Sequence, residues 1–366
     1  MSKSQKKPKA TKIKADQSKK AKPSSLKRKL MTALSYVVSL ALFYWLFFVL
    51  LPSEIDFSQV KTTITSLSTI DSLAMLAAGI VSIFAVGWTA ATVLPGIKVK
   101  KATQASVVGQ LTAVILPPPA DMAIRFGMYK TYGFSVDKSA TAVVLSGVAR
   151  YFTVVAVALL GLVAMLISGQ GSAETLFWLV VGSAVFIFAV WIMGQILSGK
   201  NAAKKVGAAT QDVANWLLGL IKRKPLTTFD QSVVRFSVRS KSVVDKNLWQ
   251  IAISNLAWGL SCYAVLLLAV RFCGINADVM TASYLLLITG VMLMLNSLPI
   301  PGSGAGVTET ILLAAITFPN AQTQSAFTAA LFLYRIYTWL LPFPVGAVSY
   351  FVWRYQLSHG TAKQAV

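Results

Sequence analysis

The sequence is poor in the residues that most enzymes use for catalysis. Its 366 residues include one histidine, two cysteines and 12 acidic residues, against 34 lysines and arginines. His359 lies near the C-terminal end, and Cys262 and Cys273 are about 16 Å apart along one predicted helix, too far for a disulfide. These shortages exclude a histidine-based triad and a His/Cys metal site in the hydrophobic part of the chain. Because no Walker sequence is present either, we expect no enzymatic activity, no metal, no cofactor and no use of ATP.

Charged residues are scarce overall. They make up 13% of the chain, whereas soluble domains have about 25%, and hydrophobic residues make up 55%. Several apolar runs reach the length of about 20 residues that a helix needs to cross a bilayer. The composition therefore predicts an all-α polytopic membrane protein. The predicted full-length spans are Met31–Leu51, Leu73–Leu94, Ser139–Ile167, Leu176–Ser198, Leu248–Val270 and about Thr323–Tyr350.

Residues 1–30 differ from the rest of the chain, because they combine twelve basic residues with one acid, Asp16, and contain no aromatic residue. Such a segment cannot bury enough apolar surface to fold, so we predict a disordered tail. Its charge favours anionic lipids of the inner leaflet over nucleic acid, for which stacking aromatic side chains are missing. Residues 31–51 are then an uncleaved first transmembrane helix, since no small-residue cleavage site follows them.

Two further apolar segments are cut short by proline. Gln104–Leu116 stops at Pro117, Pro118 and Pro119, and Thr281–Leu298 stops at Pro299 and Pro301. Proline has no amide proton and ends a helix, so each segment is predicted to turn back inside the membrane. Irregular backbone at that depth must be sheltered by protein or a water-filled cavity. We therefore expect two re-entrant hairpins, at about 104–132 and 281–318, that meet at the bilayer midplane.

The basic residues beyond the tail are unevenly distributed among the predicted loops. This bias predicts that the N- and C-termini, with the tail 352–366, are cytoplasmic. The basic segment 199–247 then either lies along the inner leaflet or forms a solvated loop. In this predicted topology the cytoplasmic side holds the basic residues of 98–101, 130–138 and 200–246 with Arg354 and Lys363. The outside holds Lys61 and Arg271. Three arginines lie at membrane depth: Arg125, Arg150 and Arg335.

The chain also contains an internal repeat. The sequence LPPP at Leu116–Pro119 recurs as LPIP at Leu298–Pro301. The two halves, 70–198 and 248–351, enter their hairpins from opposite sides in the predicted topology, so the repeat is inverted. Inverted repeats with broken helices are typical of transporters, whose binding site lies between the halves. Three residues of the first half, Arg150, Thr153 and Gly161, recur in the second as Arg335, Thr338 and Gly346.

Arg150 and Arg335 are the strongest candidates for a functional site. Each is predicted to lie about 16 to 18 Å into its span, near the middle of a ~30 Å core, where a charge is costly and needs a partner or a wet cavity. They could bind an anion, or pair with an acid and hold the broken helices in place. The acids at this depth are Asp121, which is four residues before Arg125 on one helix face, and Glu309. The Asp121–Arg125 spacing fits a local ion pair as well as a role in positioning the arginines or carrying protons.

The sequence PGSGAGVTE, at Pro301–Glu309, is a glycine-rich turn that opens a half-helix. Amides at a helix start favour an anion, so Gly302, Gly304 and Gly306 are candidate ligands for a phosphate or a phospholipid head group. The glycines could equally serve close helix packing. Aromatic residues at predicted span ends, such as Trp178, Trp249 and Trp353, are interpreted as interfacial anchors.

Three segments together resemble a known family. LPIPGSGAGVTETILLAA, PPPADMAIRFGMYKTYG and SGVARYFTVVAVALLGL are similar to motifs of the flippase-like family named after the transmembrane region of lysylphosphatidylglycerol synthase. This family includes the flippase half of the multiple peptide resistance factor. The resemblance covers roughly residues 70–350. It implies movement of a lipid with a charged head group between leaflets of a bacterial or archaeal cytoplasmic membrane, without aminoacyl transfer.

Other functions fit the same residues. The arginines would also suit a secondary transporter of a small anion, which a sealed aqueous path would favour over a lateral opening. An intramembrane enzyme acting on a lipid phosphate would have to rely on Asp121 or Glu309, and a membrane scaffold would need neither. Head-group identity, transport direction and oligomeric state are left open by the sequence.

Overall fold

The structure of the protein is a computed structural model that describes residues 64–115, 119–220, 227–298 and 306–359, with Thr62 and Pro225. This part of the chain is helical and contains no strand. The predicted tail 1–30 and first helix 31–51 lie outside the described residues. The helices are α1 (Thr69–Val93), α2 (Val99–Ile115), α3 (Ala120–Thr131), α4 (Val136–Ile167), α5 (Ala173–Ser198), α6 (Lys200–Leu220), α7 (Phe229–Phe272), α8 (Ala282–Asn296), α9 (Val307–Ala315), α10 (Ala321–Arg335) and α11 (Pro342–Ser358).

Several helices begin at a polar residue that caps the first turn. Ser135 Oγ accepts the amide of Lys138 at 3.3 Å at the start of α4. Thr281 Oγ1 accepts the amide of Tyr284 at the start of α8, and Asn320 caps α10 in the same way. Each cap satisfies one of the amides that have no partner within the helix, which explains why the apolar segments begin where they do.

Within the described residues, five helical stretches are long and apolar enough to cross a membrane. They confirm the predicted all-α, multi-pass membrane class. Four of them correspond to predicted spans with small shifts of their ends, and the fifth contains the predicted span Leu248–Val270. The five are Thr69–Val93, Val136–Ile167, Ala173–Ser198, Phe229–Phe272 and Ala321–Ser358.

The helix that contains Leu248–Val270 is much longer than predicted. It runs without interruption for 44 residues as α7, and α6 packs beside its first part. Gln211 Oε1 of α6 accepts the amide of Phe229 at 2.9 Å and so caps the start of α7. The alternative of a solvated loop at 199–247 is therefore wrong, and no helix boundary falls at residue 247. A search for apolar runs could not find the first part of this helix, because it is rich in basic residues.

The last predicted span contains a wider helical turn. α10 ends at Arg335, a π-helical turn covers Ile336–Leu340, and α11 begins at Pro342. The amide of Leu341 bonds to Ile336 O at 2.7 Å, five residues back. Because Pro342 has no amide to continue the α-helical pattern, the wider turn joins the two helices, and the continuous helical stretch Ala321–Ser358 contains the predicted last span.

The two proline-limited segments end within two residues of their predicted ends. α2 stops at Ile115 and α3 begins at Ala120, and the pair is antiparallel, since Tyr132 donates to Gln104 Oε1 at 3.1 Å. α8 stops at Asn296 and α9 begins at Val307. The turns themselves, 116–118 and 299–305, lie outside the described residues.

Glycines bring helices of the two sequence halves into close contact. A Cβ atom added to Gly161 of α4 would lie 2.9 Å from Leu287 Cβ of α8, and one added to Gly290 of α8 would lie 2.7 Å from Ala158 Cβ of α4. Gly346 of α11, which is 185 residues after Gly161, lies in the same way on α2, where a Cβ would be 2.7 Å from Val107 O. In each half, a helix of the arginine-bearing segment therefore packs against the helix of the other half that ends before the prolines: α4 packs against α8, and α11 packs against α2.

Most basic residues of the described helices lie at one end of the bundle, here named the basic end. α1 ends and α4 begins at this end, and Arg239 of α7 pairs there with Asp137 of α4 at 2.8 Å. At the opposite end Arg271 donates to the carbonyls of Ile275 and Met280 at 2.8 and 2.7 Å. The residues at the basic end include Lys98, Lys100, Lys101, Lys130, Lys138, Lys200, Lys204, Lys205, Arg239, Lys246 and Arg354, as the contacts of Lys101 with Gln356, of Thr131 with Trp353 and of Gly207 with Asp230 indicate.

Candidate functional site

A cavity of about 380 Å³ lies in the middle of the helix bundle. Its walls come from α1, α2, α3, α4, α7, α8 and α10, so both halves of the sequence contribute. Its volume is in the range of small-molecule sites. Four of the charged residues that the sequence singled out lie in its lining: Asp121, Arg125, Arg150 and Arg335.

Asp121 and Arg125 form the expected pair within one helix. Arg125 Nη2 lies 3.0 Å from Asp121 Oδ2, and Arg125 Nη1 donates to Ser146 Oγ of α4 at 3.3 Å. The stem of Arg125 rests on Gly109 of α2, where an added Cβ would lie 3.0 Å from Arg125 Cγ. The pair therefore links α3 to α4 and leaves the Arg125 charge compensated.

Arg335 is the centre of a second network, at the end of α10. Its Nε donates to Glu309 Oε1, and its Nη2 donates to Asn296 Oδ1 at 2.9 Å. Thr308 Oγ1 donates to the same Asn296 oxygen at 2.9 Å. The side chains of Arg335 and Glu309 are 12% and 11% exposed, so this is a nearly buried ion pair that ties the ends of α8, α9 and α10 together.

Gly306 completes this network from the start of α9. Its backbone has φ +84°, and its amide donates to Glu309 Oε2 at 2.7 Å. The left-handed conformation is one that glycine adopts without steric cost. Glu309 is therefore held from both sides and does not itself line the cavity.

Arg150 has a different environment from the other two arginines. Its guanidinium carbon lies 4.1 Å from the centre of the Trp258 ring, a cation–π contact between α4 and α7. Among the residues that the structure describes, its side chain has neither an ion pair nor a hydrogen bond. The cavity next to it is also lined by Gln110, whose Oε1 is buried without a hydrogen-bond partner among those residues.

The charges at the cavity do not cancel. Asp121 compensates Arg125 and Glu309 compensates Arg335, whereas the part of the chain that the structure describes offers Arg150 only an aromatic face. A cation–π contact is worth about 0.5 to 2 kcal/mol and does not neutralise a charge. An anion entering the cavity would therefore find one guanidinium with its N–H donors still available.

The remaining sequence candidates are placed as follows. Pro119 precedes α3 and is exposed, and Gly306 begins α9. Pro117, Pro299, Pro301, Gly302 and Gly304 lie outside the described residues. The structure therefore brings Asp121, Arg125, Arg150 and Arg335 together and puts Glu309 behind Arg335.

Sequence reasoning missed two polar contacts of the cavity and misjudged one tryptophan. Trp258 was overlooked because it lies inside a span, although an aromatic ring facing an intramembrane arginine is a recognised partner. Asn296 could have been found as the single amide that ends an otherwise apolar helix. Trp353 is not an exposed interfacial anchor, because it is 8% exposed and donates to Thr131 Oγ1 at 2.9 Å. Trp178 and Trp249 are exposed, as an anchor requires.

Comparison with known proteins agrees with this architecture. A family model described as the lysylphosphatidylglycerol synthase TM region matches residues 33–346, which is most of the chain. No curated protein matches the chain. The protein belongs to the lysylphosphatidylglycerol synthase transmembrane-region family.

Proposed function

We propose that the protein moves a phospholipid with a charged head group between the two leaflets of a bacterial or archaeal cytoplasmic membrane. One observation carries the proposal: Arg150 faces the central cavity with an aromatic partner and without an acidic one in the described part of the chain. Burying a charged guanidinium at membrane depth costs free energy, so we expect this residue to have a function. The phosphate of a lipid head group would supply the missing negative charge.

The helix arrangement supports alternating access to this cavity. The reciprocal glycine contacts of α4 with α8 and of α11 with α2 are what an inverted repeat would produce. In this proposal α2–α3 and α8–α9 are re-entrant hairpins from opposite sides of the membrane, and the basic end is cytoplasmic. Rocking of the two halves would open the cavity to one leaflet and then to the other.

The rim of the cavity suits a lipid more than a small solute. Met122, Tyr151 and Leu298 line the cavity and are among the exposed large hydrophobic side chains, at 39%, 58% and 49% exposure. An apolar rim would let acyl chains remain in the bilayer while the head group enters between the helices. The lack of a Walker sequence leaves downhill flow or proton coupling as the driving force in this proposal.

A fluorescent-lipid assay tests the proposal directly. Proteoliposomes would carry phosphatidylglycerol labelled on the head group or chain with a dithionite-reducible dye, and dithionite would be added outside. We expect the inner-leaflet dye to be reduced faster with the wild type than in protein-free vesicles. Replacing Arg150 by alanine should slow this phase about tenfold or more, because a hydrogen bond to a charged group contributes about 1.5 to 3 kcal/mol.

The same vesicles separate lipid transport from small-anion transport. Uptake of radiolabelled inorganic phosphate would be measured in parallel with dye reduction. Dye reduction without phosphate uptake supports lipid translocation. Phosphate uptake at a dye reduction rate equal to that of protein-free vesicles would replace the proposal by an anion transporter.

A further inference from the structure

A second cavity, of about 420 Å³, lies at the basic end of the bundle. It is formed where α1 ends, at Val93 and Leu94, where α4 begins, at Lys138, and along α7, at Arg239 and Lys246. From this cavity we infer a binding site for the phosphate of an anionic phospholipid that resides in the adjacent leaflet. The inference does not depend on lipid translocation by the central cavity.

The charges of this basic-end cavity are unbalanced. Among the described residues, its lining holds three basic residues and one acid, and the acid, Asp137, is paired with Arg239 at 2.8 Å. Lys138 and Lys246 have no side-chain hydrogen bond or ion pair among the described residues. Two lysines that line one cavity between helices form the kind of pocket that binds phospholipid head groups.

The position of the cavity favours a lipid over a free anion. Its floor is apolar, because Val93 and Leu94 are 2% and 1% exposed and Val243 also lines it. Trp249 lies three residues after Lys246, about one helical turn further along α7, and is 77% exposed. Exposed tryptophans of membrane proteins concentrate at the bilayer–water interface. The lysines are therefore at head-group depth, with apolar surface beside them for the glycerol and upper acyl region.

The basic-end cavity is distinct from the central one in its charged groups. Lys138 and Arg150 are on the same helix, as are Lys246 and Trp258, and each pair is about 18 Å apart along the axis at 1.5 Å per residue. The two cavities share no lining residue, so a head group held by Lys138 and Lys246 lies in a cavity that Arg150 does not line. Binding at one site can therefore be altered without altering the other.

Photolabelling can test the site in the full chain. The protein would be placed in phosphatidylcholine nanodiscs with a photoactivatable phosphatidylglycerol, and labelled peptides would be mapped by mass spectrometry. We expect labelling of the peptides that contain 137–141 and 239–247, in both the wild type and Arg150→Ala. The double variant Lys138→Gln/Lys246→Gln should bind about 10- to 30-fold more weakly, since each lysine near a membrane surface contributes about 1 kcal/mol.

Two comparisons make the result specific. The double variant Lys204→Gln/Lys205→Gln removes the same charge from α6 at the same end, outside the lining, and should label like the wild type. Asp137→Asn frees Arg239 and should strengthen labelling, which a merely destabilised protein would not do. Equal labelling of both double variants, weaker labelling of Asp137→Asn, or displacement by 10 mM inorganic phosphate at constant ionic strength would each overturn the inference.

Discussion

The close contact between α4 and α8 predicts that adding one methyl group, at Gly290, destabilises the protein. A Cβ atom on Gly290 would lie 2.7 Å from Ala158 Cβ and closer still to the Ala158 backbone. Carbon atoms pack at about 3.5 to 4.0 Å, so Gly290→Ala would force the two helices about 1 Å apart. Backbone atoms cannot rotate away as a side chain would. Overpacking of this kind costs about 1 to 3 kcal/mol of unfolding free energy, and α4 also carries Arg150.

Thermal unfolding in detergent micelles, followed by far-UV circular dichroism, measures this cost. Gly194→Ala on α5 is the matched control, because a Cβ at Gly194 meets no atom within 4 Å. Alanine is the better helix former by about 1 kcal/mol, so the control should be neutral or stabilised. If Gly290→Ala unfolds at the same temperature as Gly194→Ala, the close approach of α4 and α8 is refuted.

Three further predictions concern the contacts around the cavity and are tested by the same unfolding measurement. Asp121→Asn leaves Arg125 without its acid and should lower the free energy of unfolding by about 1 to 3 kcal/mol. Adding Arg125→Gln should partly restore it, and no rescue would contradict the pairing. Gly306→Ala should cost about 1 to 2 kcal/mol, because alanine at φ +84° is strained, and an unchanged midpoint would contradict that backbone conformation. Trp258→Leu should lower the free energy of unfolding by about 0.5 to 2 kcal/mol more than Trp258→Phe, because phenylalanine keeps an aromatic face for Arg150. The opposite order would argue against the cation–π contact.

Much of the fold could be predicted from local sequence features. Apolar runs located the membrane-spanning helices, and the proline runs marked the ends of α2 and α8. The pairing of Asp121 with Arg125 followed from their spacing of four residues on one helix. These features depend on neighbouring residues, so a single sequence is sufficient to find them.

Features that depend on packing between distant segments could not be predicted. Trp258 contacts Arg150, and Asn296 accepts from Arg335, only because α4, α7, α8 and α10 surround one cavity. The length of α7 was missed because its first part is basic and gains its stability from packing against α6. The π-helical turn at 336–340 was not foreseen, because apolar content alone does not reveal it.

The charge of Arg150 is the centre of the proposed mechanism, and conservative substitutions test it most directly. Dye reduction would be compared for the wild type, Arg150→Lys, Arg150→Gln and the control Lys241→Gln, a surface lysine on α7 paired with Asp245. We expect the wild type and the control to be equally fast, Arg150→Lys to be intermediate, and Arg150→Gln to be about tenfold slower or more. A wild-type rate for Arg150→Gln in equally folded protein would contradict a role for this charge in binding the lipid phosphate.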